Sequence, residues 1–458
     1  MIQDIETSDE GKNLASASRE ETGSVELQAG PLRKSQAASL VARASAFILL
    51  LGAIYLAARQ GIAAWYFHGS QPDDLAEAMR WDPANPQYPD ALANVTHFYS
   101  DTANPGRIIQ LCQTAVSLSP YNAHYWADLG SAYDWAGRPS DALRAFEHAH
   151  TLFPNSSEIN WRLANFYART GRISGALPLL RSVLLAGDVD SRQVFALTSN
   201  AGADSEAVLN QMIPAQSSFL IAYLNFQATA GHSDAANAAW DYLLASHLPF
   251  EAAQALPYLD SLIQQRDLDA ASAVWQELRE RFPRQAAPPG PNGDVITNGE
   301  FSVPILDGGF DWRVIPVAGA AVHITRLAEP NEEGSLQIEF DGSQNLDYGN
   351  VLQLVRVQPR TRYQFSADLR TRDITTDSGP RFQVYDISDM AGLFYAAPNH
   401  TGTSSWSQDT LSFETGASTR LLVVRIARPA SSKFDNKIAG ILWVRRVVLV
   451  PVAGGGKH

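Results

Sequence analysis

Between Trp126 and Pro154 the chain reads Trp126-Ala-Asp-Leu129-Gly130-Ser-Ala-Tyr133, then Ala142-Leu-Arg-Ala-Phe146-Glu-His-Ala149, and closes on Pro154. Residues three and four apart share a helix face. Trp126, Leu129 and Tyr133 therefore form the apolar side of one helix, and Ala142, Phe146 and Ala149 that of a second. Gly130 and Ala142 are small where two such helices approach most closely. Gly137 ends the first helix and Pro154 stops the second. The stretch is a helix–turn–helix unit. Such a unit buries its apolar face only by stacking on others of its kind, and stacked units build binding surfaces.

A 34-residue step finds neighbours. Residues 89–122 carry Leu92, Tyr99, Cys112, Ala115 and Pro120 in register. Residues 157–190 carry Leu163, Ala164, Tyr167, Gly171 and Ala176, with Trp161 displaced by one position. In residue types and spacing these units resemble the tetratricopeptide (TPR) repeat. Upstream, Asp74 to Pro86 looks like the second helix of a further unit, through Ala78, Trp81 and Pro86; its first helix would coincide with the end of the apolar segment that precedes it, so the solenoid is expected to begin at, or continue out of, that segment. Downstream the pattern weakens. Residues 191–215 read as a shorter pair around Gly202. Residues 216–249 fit through Phe219, Tyr223, Phe226 and Ala235, and 251–283 through Tyr258, Ala270, Val274 and Pro283. A solenoid of about five or six hairpins over 72–285 is expected.

The resemblance implies a ligand groove lined by first-helix side chains. Carried over, these are Asp90, Ala93, His97 and Ser100, then His124, Ala127, Ser131 and Asp134, then Glu158, Trp161, Asn165 and Ala168. Trp161 has two readings, because Asn160 takes the core tryptophan position. Either Trp161 faces the groove as an anchor, or the helix rotates and packs it in the core. The Lys/Arg clamp of chaperone-binding TPR domains is absent from these positions. The resemblance therefore does not imply recognition of an acidic chain terminus.

The chain has 458 residues, 45% hydrophobic and 18% charged, with a formal net charge of −13. Such a balance argues against nucleic-acid binding, which needs a broad basic surface. One cysteine, Cys112, excludes a disulfide framework and a cysteine-based zinc site, and its register gives it a buried apolar role. Residues 1–36 lack an apolar period and, within a 1–40 cytoplasmic tail, read as disordered. Ala44 to Ala58 is unbroken apolar sequence, and the segment 41–67 is long enough for a transmembrane helix. Arg59 near its end would snorkel, with Trp65, Tyr66 and Phe67 as an interfacial anchor. Arg33, Lys34 and Arg43 precede it, whereas Asp73, Asp74 and Glu77 follow. The positive-inside rule then keeps the N-terminus cytoplasmic. The expected location is a bacterial inner membrane, crossed once, with the bulk of the chain periplasmic. The sequons at Asn94, Asn155 and Asn399 are set aside as chance spacings.

Residues 286–293, in the run Arg284 to Gly293, form a Pro/Gly linker that cannot continue a helix. Beyond it apolar residues alternate, as in Leu336-Ile338-Phe340 and Tyr363-Phe365-Ala367-Leu369. Seven to nine short strands over 294–453 indicate an antiparallel β-sandwich. The segments Ile296-Thr-Asn-Gly-Glu-Phe301, Phe310-Asp-Trp312, Gly334 to Phe340, Val357 to Tyr363, Gly402-Thr-Ser-Ser-Trp406 and Ile438 to Trp443 resemble galactose-binding-like, jelly-roll carbohydrate-binding modules. The resemblance implies a structural calcium near Glu300. The usual acidic run is here Trp443-Val-Arg445-Arg446-Val447, however, so an ion pair between Glu300 and Arg445 is the alternative. It also offers Tyr348, Tyr395, Trp312 and Trp406 as glycan-binding candidates, Trp312 and Trp406 being core positions in the resembling modules.

The fold class expected is thus multidomain α and β: one transmembrane helix, an α-helical TPR solenoid and an antiparallel jelly-roll β-sandwich. No catalytic constellation surfaces. The expected function is a non-enzymatic periplasmic scaffold without cofactor or nucleic-acid partner. Its solenoid would bind protein partners and its sandwich polysaccharide, in exopolysaccharide or cell-envelope assembly. A pure protein-assembly adaptor and a polysaccharide-processing enzyme are the alternatives.

Overall fold

The computed structural model describes residues 32–69, 71–99, 104–288, 290–325 and 334–452. The expected tail at 1–31 and the groove candidate Ser100 lie outside them. Among the described residues, fourteen α-helices precede ten strands. The chain forms two compact units, Met1–Ala142 and Leu143–His458.

In the first unit, α1 spans Leu32–Phe67, followed by α2 (Pro72–Trp81), α3 (Gln87–Tyr99), α4 (Pro105–Leu118) and α5 (Ala123–Trp135). Helix α1 starts earlier than expected, inside the segment read as tail. No proline interrupts the sequence between Pro31 and Pro72, so nothing breaks the helix. Its last turns serve as the first helix of the first hairpin, as the 34-residue step expects. Ala63, Ala78 and Tyr88 form a buried cluster with Tyr66, Phe67 and Met79 around it. The Phe67 and Tyr88 rings lie 5.3 Å apart. Arg59 Nε donates to the Trp81 carbonyl at 2.8 Å. Tyr66, Phe67 and Arg59 thus serve as the first helix of a hairpin with α2, while Trp65 stays exposed. Helix α2 carries Asp73, Asp74, Glu77 and Arg80, which hydrocarbon would not tolerate. A stretch able to cross a membrane, Ala38–Phe67 by length and hydropathy, can lie in lipid only as far as about Ala58.

Helix α6 (Pro139–Leu152) leads into the second unit, with α7 (Ser157–Arg169), α8 (Ile173–Ala186), α9 (Ser191–Asn200), α10 (Ser205–Ala207) running into a π-turn at Val208–Met212, α11 (Ser217–Ala230), α12 (Ser233–Ser246), α13 (Leu256–Gln264) and α14 (Leu268–Arg281). One turn recurs at hairpin after hairpin. A residue of positive φ, namely Gly137, Gly171, Gly202, Gly231 or Arg266, follows the first helix. The next amide then reaches back to a carbonyl five residues earlier, as in Arg138 N to Tyr133 O at 2.9 Å and Arg172 N to Tyr167 O at 2.8 Å. This is the Schellman closure of a helix end. Other contacts repeat as well. Gln113 Nε2 donates to Tyr133 Oη at 2.9 Å, and 34 residues on Tyr167 Oη donates to Glu147 Oε1 at 3.1 Å. Cys112 is buried, and burial pushes its thiol up to about 12.

The sandwich comprises β1 (Trp312–Val314), β2 (Ala320–Thr325), β3 (Ser335–Asp341), β4 (Tyr348–Arg356), β5 (Arg362–Ile374), β6 (Arg381–Asp386), β7 (Phe394–Ala396), β8 (Gly402–Glu414), β9 (Leu421–Arg428) and β10 (Ala439–Pro451). Two antiparallel sheets run in the orders β1-β4-β9-β6-β7 and β2-β3-β10-β5-β8. Their facing rows, among them Leu336, Ile338, Phe365, Phe382, Val424 and Leu442, make one core. The expected linker is not free chain, since Ala286 and Ala287 are buried and Pro291–Gly293 form a 3₁₀ turn.

The loop before β1 seats the sandwich on the last hairpin. Arg313 forks onto Asp260 at 2.7 and 3.2 Å, and Gly309 N donates to the same carboxylate at 2.8 Å. Gly309 has φ 59°, and a Cβ there would meet Leu259 at 2.5 Å, so the approach depends on glycine. Phe310 lies edge-on to Trp275 at 6.3 Å. Beside this contact Asp311 is fully buried and accepts from Leu306 N and Trp312 N, both at 2.8 Å. Burial outweighs these bonds and pushes its carboxyl up to about 6. The folded state therefore holds this proton more tightly than the unfolded one, and that stabilisation is lost as pH rises from about 4 through about 6. Asp311→Asn, neutral throughout, is expected to trail the native chain most in Tm near pH 4. The gap should narrow by up to about 3 kcal/mol towards pH 7. A gap that widens with pH would reject the raised carboxyl.

Candidate functional site

Two of the groove candidates, Ser131 and Asn165, hold the same position relative to the turn that follows their helix. Counting back six residues from each turn gives Ser131, Asn165, Ala196, Asn225 and Asp260, on the first helices of successive hairpins. Ser131 Oγ donates to the Ala127 carbonyl one turn back at 3.1 Å, and Asn165 Nδ2 donates to Trp161 O at 2.7 Å. Asp260 is taken by Arg313. Asn225 differs: its Nδ2 donates to Gln254 O at 2.9 Å, while its buried Oδ1 has no partner among the described residues. Asn225 also lines a cavity of about 730 Å³, with Arg192, Phe195, Phe226, Thr229 and Pro257 among the other lining residues. Residues of α9, α11 and α13 thus form an apolar slot with one buried acceptor and one guanidinium. Sequence stepping passed over it because the turns at Gly171, Gly202 and Gly231 are 31 and 29 residues apart.

The remaining candidates fall as follows. Ala93 and Ala127 are buried, against the groove reading for both. His97 lies edge-on to Trp135 at 4.8 Å. His124 is exposed and Asp134 half-buried. Asp90 accepts from Asn94 at 3.4 Å, and Glu158 pairs with Arg162 at 2.6 Å. Asn160 is buried, and its Nδ2 donates to Pro154 O at 2.9 Å. Trp126 Nε1 makes the same bond to Pro120 O at 2.8 Å, 34 residues earlier. Asparagine has therefore replaced the tryptophan donor without rotating the helix. Trp161 is half-buried beside it, as is Ala168 two turns further on.

In the sandwich two glycan candidates are overturned. Tyr348 is 2% exposed and packs edge-on to Phe340 at 5.4 Å. A register shift between Tyr348 and Val351 turns both inward, where unbroken alternation would have placed them on opposite faces. Its hydroxyl has no partner among the described residues, and burial raises its pKa. Tyr348→Phe is accordingly expected to leave stability unchanged or raise it by about 1 kcal/mol, since a buried unpaired hydroxyl is removed. A drop in Tm would disprove this. Trp312 is 0% exposed, at the centre of the core. Tyr395 is 39% exposed and stacks on Phe413 at 5.4 Å. Trp406 lies on the outer face of the second sheet, with the Arg445 guanidinium 4.2 Å from its ring. Trp443, not among the candidates, joins it there between Arg370 and Arg372. The alternation of buried Leu442 and Val444 around it was the signal that could have placed it outward.

Glu300 is exposed in the turn before Phe301. Arg445 and Arg446 share Asp368, at 3.5 and 3.6 Å. Among the described residues no three acidic, histidine or cysteine side chains gather as a metal site.

Residues 136–201 match the family model described as tetratricopeptide repeat. The central hairpins are tetratricopeptide-type repeats. Such repeats point to a protein-interaction scaffold. None of the curated proteins matches the chain. Among solved structures, one of MamA is 16% identical, covering 36% of this chain and 97% of its own, at TM-score 0.26. PilF of Pseudomonas aeruginosa is 16% identical over 50% of this chain and 92% of its own, also at 0.26. A carbohydrate-binding module of family 4 is 12% identical over 34% of this chain and 99% of its own, again at 0.26. With likenesses this low, the fold rests on the elements described above.

Proposed function

We propose that this chain is a non-enzymatic scaffold, anchored by α1 in a bacterial inner membrane with its solenoid and sandwich in the periplasm. The solenoid holds an extended segment of a protein partner in its groove. The sandwich binds polysaccharide, in exopolysaccharide or cell-envelope assembly. The observation that carries the scaffold reading is the slot around Asn225. It combines apolar walls, Phe226 and Phe195, with a buried acceptor suited to a peptide N–H. A pure adaptor without sugar binding is favoured by one specific observation, the loss of Tyr348 and Trp312 to the core.

A photo-crosslinking residue placed at Phe226 tests the groove. It should give one defined adduct in the native membrane, reduced severalfold by Asn225→Leu. The same residue at exposed Asp241 on α12 should give none. Identical adducts from both positions, or none from Phe226, would remove the groove from the proposal.

A further inference from the structure

We infer that the outer face of the sheet β2-β3-β10-β5-β8 is a platform for an acidic polysaccharide, a chain carrying uronate carboxylates. The inference rests on the polysaccharide reading above and adds the charge class of the ligand. Strand alternation sends Leu442 and Val444 into the core and Trp443 and Arg445 outward. The register sets Trp443 between Gln337 of β3 and Arg370 of β5. Trp443 Nε1 donates to Gln337 Oε1 at 3.1 Å, which fixes the indole. The guanidinium carbons of Arg370 and Arg372 stand 5.1 and 5.4 Å from its ring centre. Arg445, on the same strand as Trp443, lies 4.2 Å over Trp406, which is two strands away on β8.

Arg370 and Arg372 are exposed, and among the described residues neither has a carboxylate partner. In a chain of net charge −13, this face sets Arg370 and Arg372 on one half-exposed indole, Trp443, while Arg445 over the second, Trp406, is held by Asp368. Stacking on an indole holds a guanidinium in place, so less freedom is lost when it binds. Guanidinium only donates, and its fork matches a carboxylate in bidentate fashion. Indole faces meanwhile accept the apolar face of a sugar ring. Donor forks beside aromatic planes suit a sugar acid better than a neutral glycan, which presents hydroxyls needing acceptors as well. The acidic remainder of the chain disfavours a nucleic acid.

The full chain in detergent micelles is run through native gels containing polygalacturonate, dextran or duplex DNA. Retardation is expected in polygalacturonate alone. The paired substitution Arg370→Gln with Arg372→Gln should weaken it at least about tenfold, as loss of charge-assisted bonds implies. The paired lysine substitution, which keeps the charge and loses the fork, should weaken it less. A Tm equal to that of the native chain shows that each variant is folded. Equal retardation by DNA, or retardation unchanged in the glutamine pair, overturns the inference. Retardation in dextran alone overturns the charge class while leaving the polysaccharide reading standing. Retardation in no polysaccharide overturns both.

Discussion

Replacing Arg428 with methionine is expected to lower the stability of the sandwich by about 3–5 kcal/mol, seen as a fall in the Tm of its unfolding transition. Arg428 is 0% exposed at the end of β9. Its Nε donates to Ser378 O at 2.8 Å, Nη1 to Leu346 O at 2.6 Å and Asn345 Oδ1 at 2.8 Å, and Nη2 to Asn436 O at 2.9 Å. One side chain thereby ties three loops together. Methionine fills similar volume but leaves these acceptors unpaired, at about 1–3 kcal/mol for each that stays buried. Arg428→Lys keeps the charge and loses the planar fork, so it should recover only part of the loss. A loss below about 1 kcal/mol for the methionine variant would mean that water replaces the arginine at no cost, and the hub would be rejected.

Trp312→Ala should cost a similar amount, about 3–5 kcal/mol, because it empties the largest fully buried position in the sandwich. Its ring packs 5.5 Å from that of Phe301, and Nε1 donates to Asn298 O at 3.3 Å. Trp312→Phe retains the aromatic contact and should lose less. Because Trp312 faces the core, the phenylalanine variant should keep whatever polysaccharide retention the native chain shows, despite its lower Tm. Lost retention with an unchanged Tm would return Trp312 to a surface role.

Much of the architecture was legible because its determinants are local. The Trp126–Pro154 unit carries its small residues, turn glycine and stop proline within one window. Later hairpins keep the turn but alter the spacing, and at Arg266 a non-glycine residue takes the positive φ. A fixed period cannot follow that, so the slot around Asn225 was missed although Phe226 itself had been noted. At Asn160 the conserved quantity is a hydrogen bond to a proline carbonyl, which a search by residue type overlooks. In the sandwich, alternation identified strands but not which aromatic faces outward. The bulge at Tyr348 reverses parity there, whereas Trp443 obeys it. The overlap of the long apolar helix α1 with the first hairpin was legible from the 34-residue step, but the point where the hairpin begins along it was not. Its last apolar turns match lipid and a helical partner equally well, and only the packing of Ala63 and Phe67 on α2 and α3 separates the two.

That boundary allows the most direct test of the anchored scaffold. In a Cys112→Ala background, single cysteines are placed along α1 and labelled in intact membranes with a membrane-impermeant maleimide. Positions 44–58 should remain protected, and labelling should rise sharply at the exposed positions Gly61, Ile62, Ala64 and Trp65, where the helix leaves lipid and joins the solenoid. Even labelling along the whole of α1, or protection extending through Trp65, would contradict it.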